Sequence, residues 1–270
     1  MGGPMGSGPA YRNAREDHDV PTFFSEGLTL AYDSFGEGKP VLCIHGFASS
    51  AKVNWLDTDW VETLTGAGYQ AIVFDNRGHG QSDKPHEPEA YYPNLMARDA
   101  VALLDVLEIK QAVVLGYSMG ARITAFMAVE SEDRVAAAVF GGMGMNLING
   151  LSDGNDIIAG LRAPSLQELT HPTARQFRIF ADHTNSDREA LAACMETSRQ
   201  PMARADVRRI NVPVLVAVGE ADDMAGPPAP LASVIPKGEA FVIPRRDHMR
   251  ATGDRAFKTA AVEFLGRAFG

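Results

Sequence analysis

The chain has 270 residues, of which 45% are hydrophobic and 22% charged, a composition that allows a large buried core. Its formal net charge of −9 argues against nucleic acid or an anionic membrane as a partner, because both require a basic face. Two cysteines, Cys43 and Cys194, are too few for a disulfide framework, and neither has metal-ligand spacing. No apolar run could span a bilayer or form a signal-peptide core, so we expect a cytoplasmic protein. We also expect that the protein uses neither a metal nor a cofactor. The oligomeric state is left open.

Apolar runs alternate with helical patterns through much of the chain. Residues 1–20 contain glycine, proline and charge without periodicity, and we predict that this segment is flexible. The apolar runs predict strands at Phe23–Phe24, Leu28–Tyr32, Val41–Ile44, Ala71–Phe74, Ala112–Leu115 and Val135–Phe140. Helical spacing predicts helices at Trp60–Ala67, at Asn94–Leu107 and after Gly120. Strands and helices that alternate in this way give parallel pairing, with helices on both faces of the sheet.

The pattern changes between residues 141 and 211, where helical segments follow one another and no strand is predicted. We interpret this segment as a small helical cap inserted into an α/β layer. The layered pattern resumes with strands at Val212–Val218 and Ala240–Ile243 and a closing helix at Asp254–Phe269. The predicted domains are therefore an α/β core of residues 21–140 and 212–270, and a cap of residues 141–211.

The pentapeptide Gly116-Tyr117-Ser118-Met119-Gly120 lies between a predicted strand and a predicted helix. A Gly-x-Ser-x-Gly at such a junction puts the serine into a strained backbone conformation and lifts its hydroxyl clear of the sheet. Glycine is needed on either side because the strand and the helix pass too close for a Cβ atom. Backbone N–H groups at the helix start also lie near the hydroxyl. This pattern predicts that Ser118 is a nucleophile.

A serine hydroxyl reacts readily when a neutral imidazole removes its proton and a carboxylate orients that imidazole. Such groups are expected beyond the carboxyl ends of the strands in an open parallel sheet. Of seven histidines, only His248 follows the last predicted strand, so we predict that it is the base. Asp222 follows the preceding strand and is the predicted acid. The neighbouring Asp223 and, less favourably, Asp247 remain alternatives.

The oxyanion of a tetrahedral intermediate needs hydrogen-bond donors. We predict that these are the backbone N–H groups of Met119, directly after the nucleophile, and of Phe47, in the loop after the Val41–Ile44 strand. A substrate pocket is predicted from apolar residues beyond the Val135–Phe140 strand. The predicted pocket residues are Met143, Met145, Leu147 and Ile148, for which packing in the core is an equally good interpretation.

Together these motifs resemble the α/β-hydrolase superfamily. The resemblance runs from about residue 22 to the C-terminus and is weaker in the cap. It implies an eight-stranded, mostly parallel sheet, a triad of Ser118, Asp222 and His248, and an oxyanion hole at Phe47 and Met119. The motifs are Ile44-His45-Gly46-Phe47, Asp75-x-Arg77-Gly78-His79-Gly80-x-Ser82-Asp83, Gly116-x-Ser118-x-Gly120, Gly219-Glu220-x-Asp222 and Asp247-His248.

The resemblance also narrows the reaction. Dehalogenases and epoxide hydrolases of this fold use an aspartate at the elbow, which here is Ser118, and no tyrosine follows Tyr117 to serve an epoxide hydrolase. We therefore predict a serine hydrolase, a carboxylesterase that cleaves apolar esters of modest size through an acyl-enzyme. The alternatives are a cofactor-free perhydrolase, a thioesterase or lactonase, a C–C bond hydrolase and, from another class, a non-catalytic protein that binds small molecules.

Overall fold

The computed structural model of the chain describes residues 20–268. The predicted flexible segment 1–20, apart from Val20, lies outside the described residues, and so does the predicted helix end at Phe269.

The described chain contains eight strands in one sheet. They are β1 (Thr22–Ser25), β2 (Leu28–Phe35), β3 (Lys39–Ile44), β4 (Tyr69–Phe74), β5 (Ala112–Tyr117), β6 (Val135–Gly141), β7 (Val214–Gly219) and β8 (Gly238–Ile243). Their order across the sheet is β1-β2-β4-β3-β5-β6-β7-β8. β2 pairs antiparallel with β1 and β4, and every other pairing is parallel. This confirms the predicted eight-stranded, mostly parallel sheet.

Helices connect the strands and cover both faces. They are α1 (Trp60–Gly66), α2 (Pro93–Val106), α3 (Met119–Glu130), α4 (Asn146–Asn149), α5 (Gly154–Arg162), α6 (Pro172–His183), α7 (Arg188–Thr197), α8 (Arg204–Val207), α9 (Pro228–Ala232), α10 (His248–Ala251) and α11 (Arg255–Ala268). A π-helical turn, which the sequence patterns did not predict, forms at Lys52–Leu56. Across residues 20–268, no helix has the length and apolar character needed to cross a bilayer.

Alternate residues of each central strand contribute to two hydrophobic clusters, one on each face of the sheet. In β3, Leu42 and Ile44 pack into the cluster that contains α2 and α3. Val41 and Cys43 pack into the opposite cluster, which contains α1 and α11. Because successive side chains of a strand point to opposite faces, a strand buried on both sides becomes apolar throughout. This explains the continuous apolar runs in the sequence.

The chain between β6 and β7 is helical and includes α4 to α8, with no strand among its described residues. α5 packs against both α6 and α7. Helix α6 lies over the loop that follows β3, because the ring of Phe177 contacts that of Phe47 at a centroid distance of 5.6 Å. The Thr184 hydroxyl, next to α6, also donates a 3.4 Å hydrogen bond to the carbonyl of Ala48. The helical segment therefore covers the carboxyl end of the sheet.

Candidate active site

The turn between β5 and α3 places the Ser118 hydroxyl above the end of the sheet. Ser118 has φ +53° and ψ −114°, a conformation that L-residues rarely adopt. A Cβ atom on Gly116 would lie 2.3 Å from the carbonyl oxygen of Gly120, and one on Gly120 would lie 1.9 Å from that of Ile44. Both positions therefore require glycine, because a methyl group would push the strand and helix apart.

His248 begins α10, after the short loop of residues 244–247 that follows β8, and its ring lies between Ser118 and Asp222. Nε2 is 3.0 Å from Ser118 Oγ, and Nδ1 is 2.7 Å from Asp222 Oδ2. An ionised carboxylate only accepts hydrogen bonds, so Nδ1 carries the proton and Nε2 is free to accept the serine proton. The structure therefore brings together the three side chains that the sequence predicted as a triad.

Asp222 is fixed by its own loop. Its side chain is fully buried, and its second oxygen, Oδ1, accepts the backbone N–H groups of Met224 at 3.1 Å and Ala225 at 2.9 Å. The two alternative acids lie elsewhere. Asp223 is exposed, and Asp247 caps α10 by accepting the N–H of Arg250 at 2.8 Å. Of these three aspartates, Asp222 is the one that hydrogen-bonds the imidazole.

The loop after β3 positions the backbone N–H of Phe47. The N–H groups of its two neighbours already donate hydrogen bonds. The N–H of Gly46 donates to Asn54 Oδ1 at 2.8 Å, and that of Ala48 donates to His79 Nε2 at 3.1 Å. Neither the Phe47 N–H nor the Met119 N–H has an acceptor within residues 20–268. The first N–H groups of a helix have no intrahelical acceptor, so Met119, the first residue of α3, presents its own beside the nucleophile. Both amides are therefore available to an oxyanion.

Two buried histidines support this loop. His45 Nε2 accepts the N–H of Asn76 at 2.9 Å, while its Nδ1 donates to the carbonyl of Gly46 at 2.8 Å. His79 Nδ1 donates to the carbonyl of Arg77 at 2.9 Å. Burial lowers the pKa of His45 to about 4 and that of His79 to about 3, so both rings are neutral at pH 7. Both rings therefore hold backbone groups of the loops that follow β3 and β4.

Two chambers meet at Ser118. One has a volume of about 240 Å³ and an apolar wall that includes Val53, Phe180 and Met249. The other, which we call the inner chamber, has a volume of about 50 Å³. Both chambers are bordered by Ser118, His248 and the rings of Phe47 and Phe177. The nucleophile therefore lies where the two parts of a substrate would join.

The predicted pocket residues have different positions. Met143 lines the inner chamber. Met145, Leu147 and Ile148 line neither chamber and pack against the hydrophobic core, the alternative considered for them. The short helix α4 causes this difference, because it turns the side chain of Leu147 inward, where it is fully buried.

Several residues of the inner chamber were not predicted from the sequence. They are Arg122, Asn146, Leu151, Phe177, Met195, Ser198, Arg199 and Met224. The helical spacing from Ser118 could have identified Arg122, which lies one turn further along α3. Met224 lies in the loop after β7, and the remaining residues depend on how the helical segment packs over the sheet. None of them carries a local motif. No group of three or more histidine, cysteine, aspartate or glutamate side chains within residues 20–268 could hold a metal ion.

Comparison with known proteins agrees with this architecture. Residues 39–163 match the family described as alpha/beta hydrolase fold. BpoC of Mycobacterium tuberculosis, named as a non-heme bromoperoxidase, is 30% identical over 251 residues, which cover 82% of this chain and 91% of BpoC. The chain belongs to the α/β-hydrolase family. The family predicted from the motifs is thus confirmed, as is the coarser prediction of a hydrolase fold.

A solved structure and two further relatives also match most of this α/β-hydrolase. The crystal structure of BpoC matches it with a TM-score of 0.72 at 25% identity and covers 94% of this chain and 99% of BpoC. A non-heme chloroperoxidase of Streptomyces lividans is 30% identical over 255 residues, 79% of this chain and 84% of the relative. A 3-oxoadipate enol-lactonase of Acinetobacter baylyi is 26% identical over 223 residues, 76% and 80% of the respective chains.

Proposed function

We propose that this α/β-hydrolase is a serine carboxylesterase that cleaves carboxylic esters of modest size through an acyl-enzyme. The observation that carries the proposal is the continuous hydrogen-bond chain from Asp222 through His248 to Ser118, with links of 2.7 and 3.0 Å. Nucleophile, base and orienting acid are then in contact before any substrate arrives.

Acylation begins when Ser118 Oγ attacks the ester carbonyl and His248 Nε2 takes its proton. Asp222 stabilises the resulting imidazolium and keeps Nδ1 protonated. The oxyanion of the tetrahedral intermediate accepts hydrogen bonds from the N–H groups of Phe47 and Met119. The intermediate then collapses, His248 returns its proton to the leaving alcohol, and an ester to Ser118 remains.

Deacylation repeats these steps with water. His248 removes a proton from the water as it attacks the acyl carbonyl, and the same two N–H groups bind the oxyanion. When this second intermediate collapses, the proton passes to Ser118 Oγ and the carboxylic acid leaves. The chamber volumes of about 240 and 50 Å³ favour substrates with one larger and one small part.

The direct test is a panel of 4-nitrophenyl esters with acyl chains of two to twelve carbons, extended by simple lactones. We expect turnover of the shorter esters and a loss of roughly three to six orders of magnitude in kcat for Ser118→Ala. Ser131→Ala, at the other end of α3, is the matched control and keeps wild-type turnover. No turnover of any ester, or a loss below tenfold in Ser118→Ala, would refute the proposal.

A second candidate is perhydrolysis, in which hydrogen peroxide replaces water in deacylation and the acyl group leaves as a peroxy acid. The observation that favours it is the 30% identity to two relatives named as non-heme peroxidases. The assay is bromination of monochlorodimedone in acetate buffer with bromide and hydrogen peroxide. Acetic acid acylates Ser118 with loss of water, peroxide releases the acyl group as peroxyacetic acid, and this acid oxidises bromide to hypobromite, the brominating species. Perhydrolysis predicts bromination that Ser118→Ala abolishes, whereas ester hydrolysis without bromination excludes it.

A further inference from the structure

Arg122 places a buried cation beside the nucleophile. It lies four residues after Ser118 on α3, and its backbone N–H donates a 3.1 Å hydrogen bond to the carbonyl of Ser118. Residues spaced by four lie on the same face of a helix, and their side chains lean toward the helix N-terminus. The Arg122 side chain therefore projects toward the catalytic end of α3, where it lines the inner chamber and is only 4% exposed.

The partners of this guanidinium are all uncharged. Nη1 donates to the carbonyls of Leu147 at 3.1 Å and Gln200 at 2.9 Å, and Nη2 donates to that of Asn146 at 2.8 Å. A guanidinium has five N–H donors, so two of them, on Nε and Nη2, have no acceptor within residues 20–268. Burial lowers the pKa of Arg122 to about 10, without a contribution from any acidic side chain of the described chain. The group is still a cation at pH 7.

A second guanidinium borders the same chamber. Arg199 lines both the inner chamber and a wide outer cleft of about 950 Å³, and its Nη2 donates to Asn155 Oδ1 at 2.6 Å. Within the described residues, no carboxylate lines the inner chamber. The remaining wall is largely thioether and aromatic, formed by Met119, Met143, Met195, Met224, Phe47 and Phe177. The chamber thus combines two cations with an otherwise mainly apolar wall.

We propose that the inner chamber binds a carboxylate of the substrate, so that the preferred ester also carries a free carboxyl group. This inference rests on the esterase activity proposed above. A carboxylate matches the fork of a guanidinium and supplies the negative charge that the carbonyls around Arg122 lack. The volume of about 50 Å³ suits a group as small as a carboxylate, since a cavity needs about 10–15 Å³ to hold one water.

Arg122 also links α3 to the start of α4 and to Gln200 after α7, and this role alone would stabilise the fold. The two roles differ in what they predict for substrates. A purely structural arginine affects acidic and neutral esters alike, whereas a carboxylate-binding arginine affects their ratio. The test therefore measures the ratio of kcat/KM for an acidic ester to kcat/KM for a neutral ester of the same length.

The experiment compares two pairs of esters of matched length, and pH-stat titration measures the rate at which each ester is hydrolysed. Monoethyl glutarate and ethyl valerate place the carboxylate on the acyl part, while 4-acetoxybutanoate and butyl acetate place it on the alcohol part. In at least one pair we expect kcat/KM of the acidic ester to exceed that of the neutral ester about ten- to hundredfold, chiefly through KM. Arg122→Met and Arg199→Met each reduce this ratio at least tenfold, and Arg122→Lys retains part of it.

Arg188→Met is the matched control, because Arg188 also donates to backbone carbonyls, those of Leu161 and Ala163, but does not line the chamber. It keeps the wild-type ratio. If Arg122→Met does not fold, the inference is tested by the ratio of the wild-type protein and by the reduction of that ratio in Arg199→Met. A wild-type ratio of one or less in both pairs overturns the inference but leaves the esterase proposal intact, provided that the neutral esters are cleaved. If no ester is cleaved, both fail.

Discussion

The hydroxyl of Tyr117 donates a hydrogen bond to the backbone carbonyl of His248. The residue before the nucleophile therefore holds the backbone of the residue that carries the imidazole, although 131 positions separate them in the chain. The two rings also contact each other at a centroid distance of 5.6 Å. Burial raises the pKa of Tyr117 well above its usual range, so the hydroxyl stays protonated and remains a donor.

Tyr117→Phe removes this bond and keeps the ring. Because the buried carbonyl of His248 loses its donor, we expect a loss of about 1–3 kcal/mol in the free energy of unfolding. The imidazole also becomes less well positioned, so kcat falls roughly three- to thirtyfold while KM changes little. Urea unfolding and steady-state kinetics measure the two effects. Tyr32→Phe is the control, since no hydrogen bond of the Tyr32 hydroxyl is found within residues 20–268; equal effects of both variants would refute this role.

Asp222→Asn tests the acid of the triad. The amide can donate to Nδ1 and so favour the tautomer with the proton on Nε2, which cannot accept the proton of Ser118. We expect kcat to fall about 10²- to 10⁴-fold with little change in the midpoint of thermal unfolding. Asp223→Asn, at the exposed neighbouring position, changes kcat less than threefold. The reverse order of the two effects would assign the acid to Asp223.

Two glycine-to-alanine substitutions test the close contact at the elbow. A Cβ on Gly120 would lie 1.9 Å from the carbonyl oxygen of Ile44, so we expect Gly120→Ala to lower the free energy of unfolding by about 3 kcal/mol or more. A Cβ on Gly66, in α1, would extend into open space, with no packing neighbour within 4 Å. Gly66→Ala is therefore neutral or stabilising by up to about 1 kcal/mol. Chemical denaturation of both variants checks the contrast, and a Gly120→Ala protein of wild-type stability would contradict it.

Stability should depend on pH through His45 and His79. Their folded-state pKa values of about 4 and about 3 lie below the unfolded value near 6.5, so the unfolded chain binds more protons between these limits. Their contribution to stability is complete above pH ~6.5 and is lost as the pH falls toward 4 and 3. The raised pKa of Asp75, caused mainly by burial, acts in the opposite direction.

The measurement is the free energy of unfolding between pH 7 and pH 4.5 for wild type and His79→Gln. Because the variant has one fewer buried histidine, we expect its stability to fall less steeply on acidification. His183→Gln, at an exposed position of α6, keeps the wild-type slope. A slope in His79→Gln as steep as in wild type would show that His79 takes up no extra proton on unfolding.

The sheet and the residues beyond its strands could be predicted from the sequence because both depend on local patterns. The run that ends at Ile44 is apolar throughout because the strand is buried on both faces. The positions on either side of Ser118 are glycine because a Cβ atom there would collide with neighbouring backbone. His248 could be placed because it follows the last strand, and the structure puts it against Ser118.

The lining of the chambers could not be predicted in the same way. The contact between Phe47 and Phe177 joins residues far apart in the chain and depends on how α6 packs over the loop after β3. Nothing in the local sequence of Phe177 encodes that packing. Leu147 shows the same limit, since its sequence pattern is equally compatible with pocket lining and core packing, and the orientation of α4 places its side chain in the core.

The most direct test of whether His248 activates Ser118 is the rate at which a fluorophosphonate probe labels the protein, with the modified residue located by mass spectrometry. We expect one phosphonylated peptide, with the adduct on Ser118, and a labelling rate that falls at least a hundredfold in His248→Gln because the hydroxyl then has no base. Labelling of another residue, or a His248→Gln protein that reacts at the wild-type rate, would contradict this expectation.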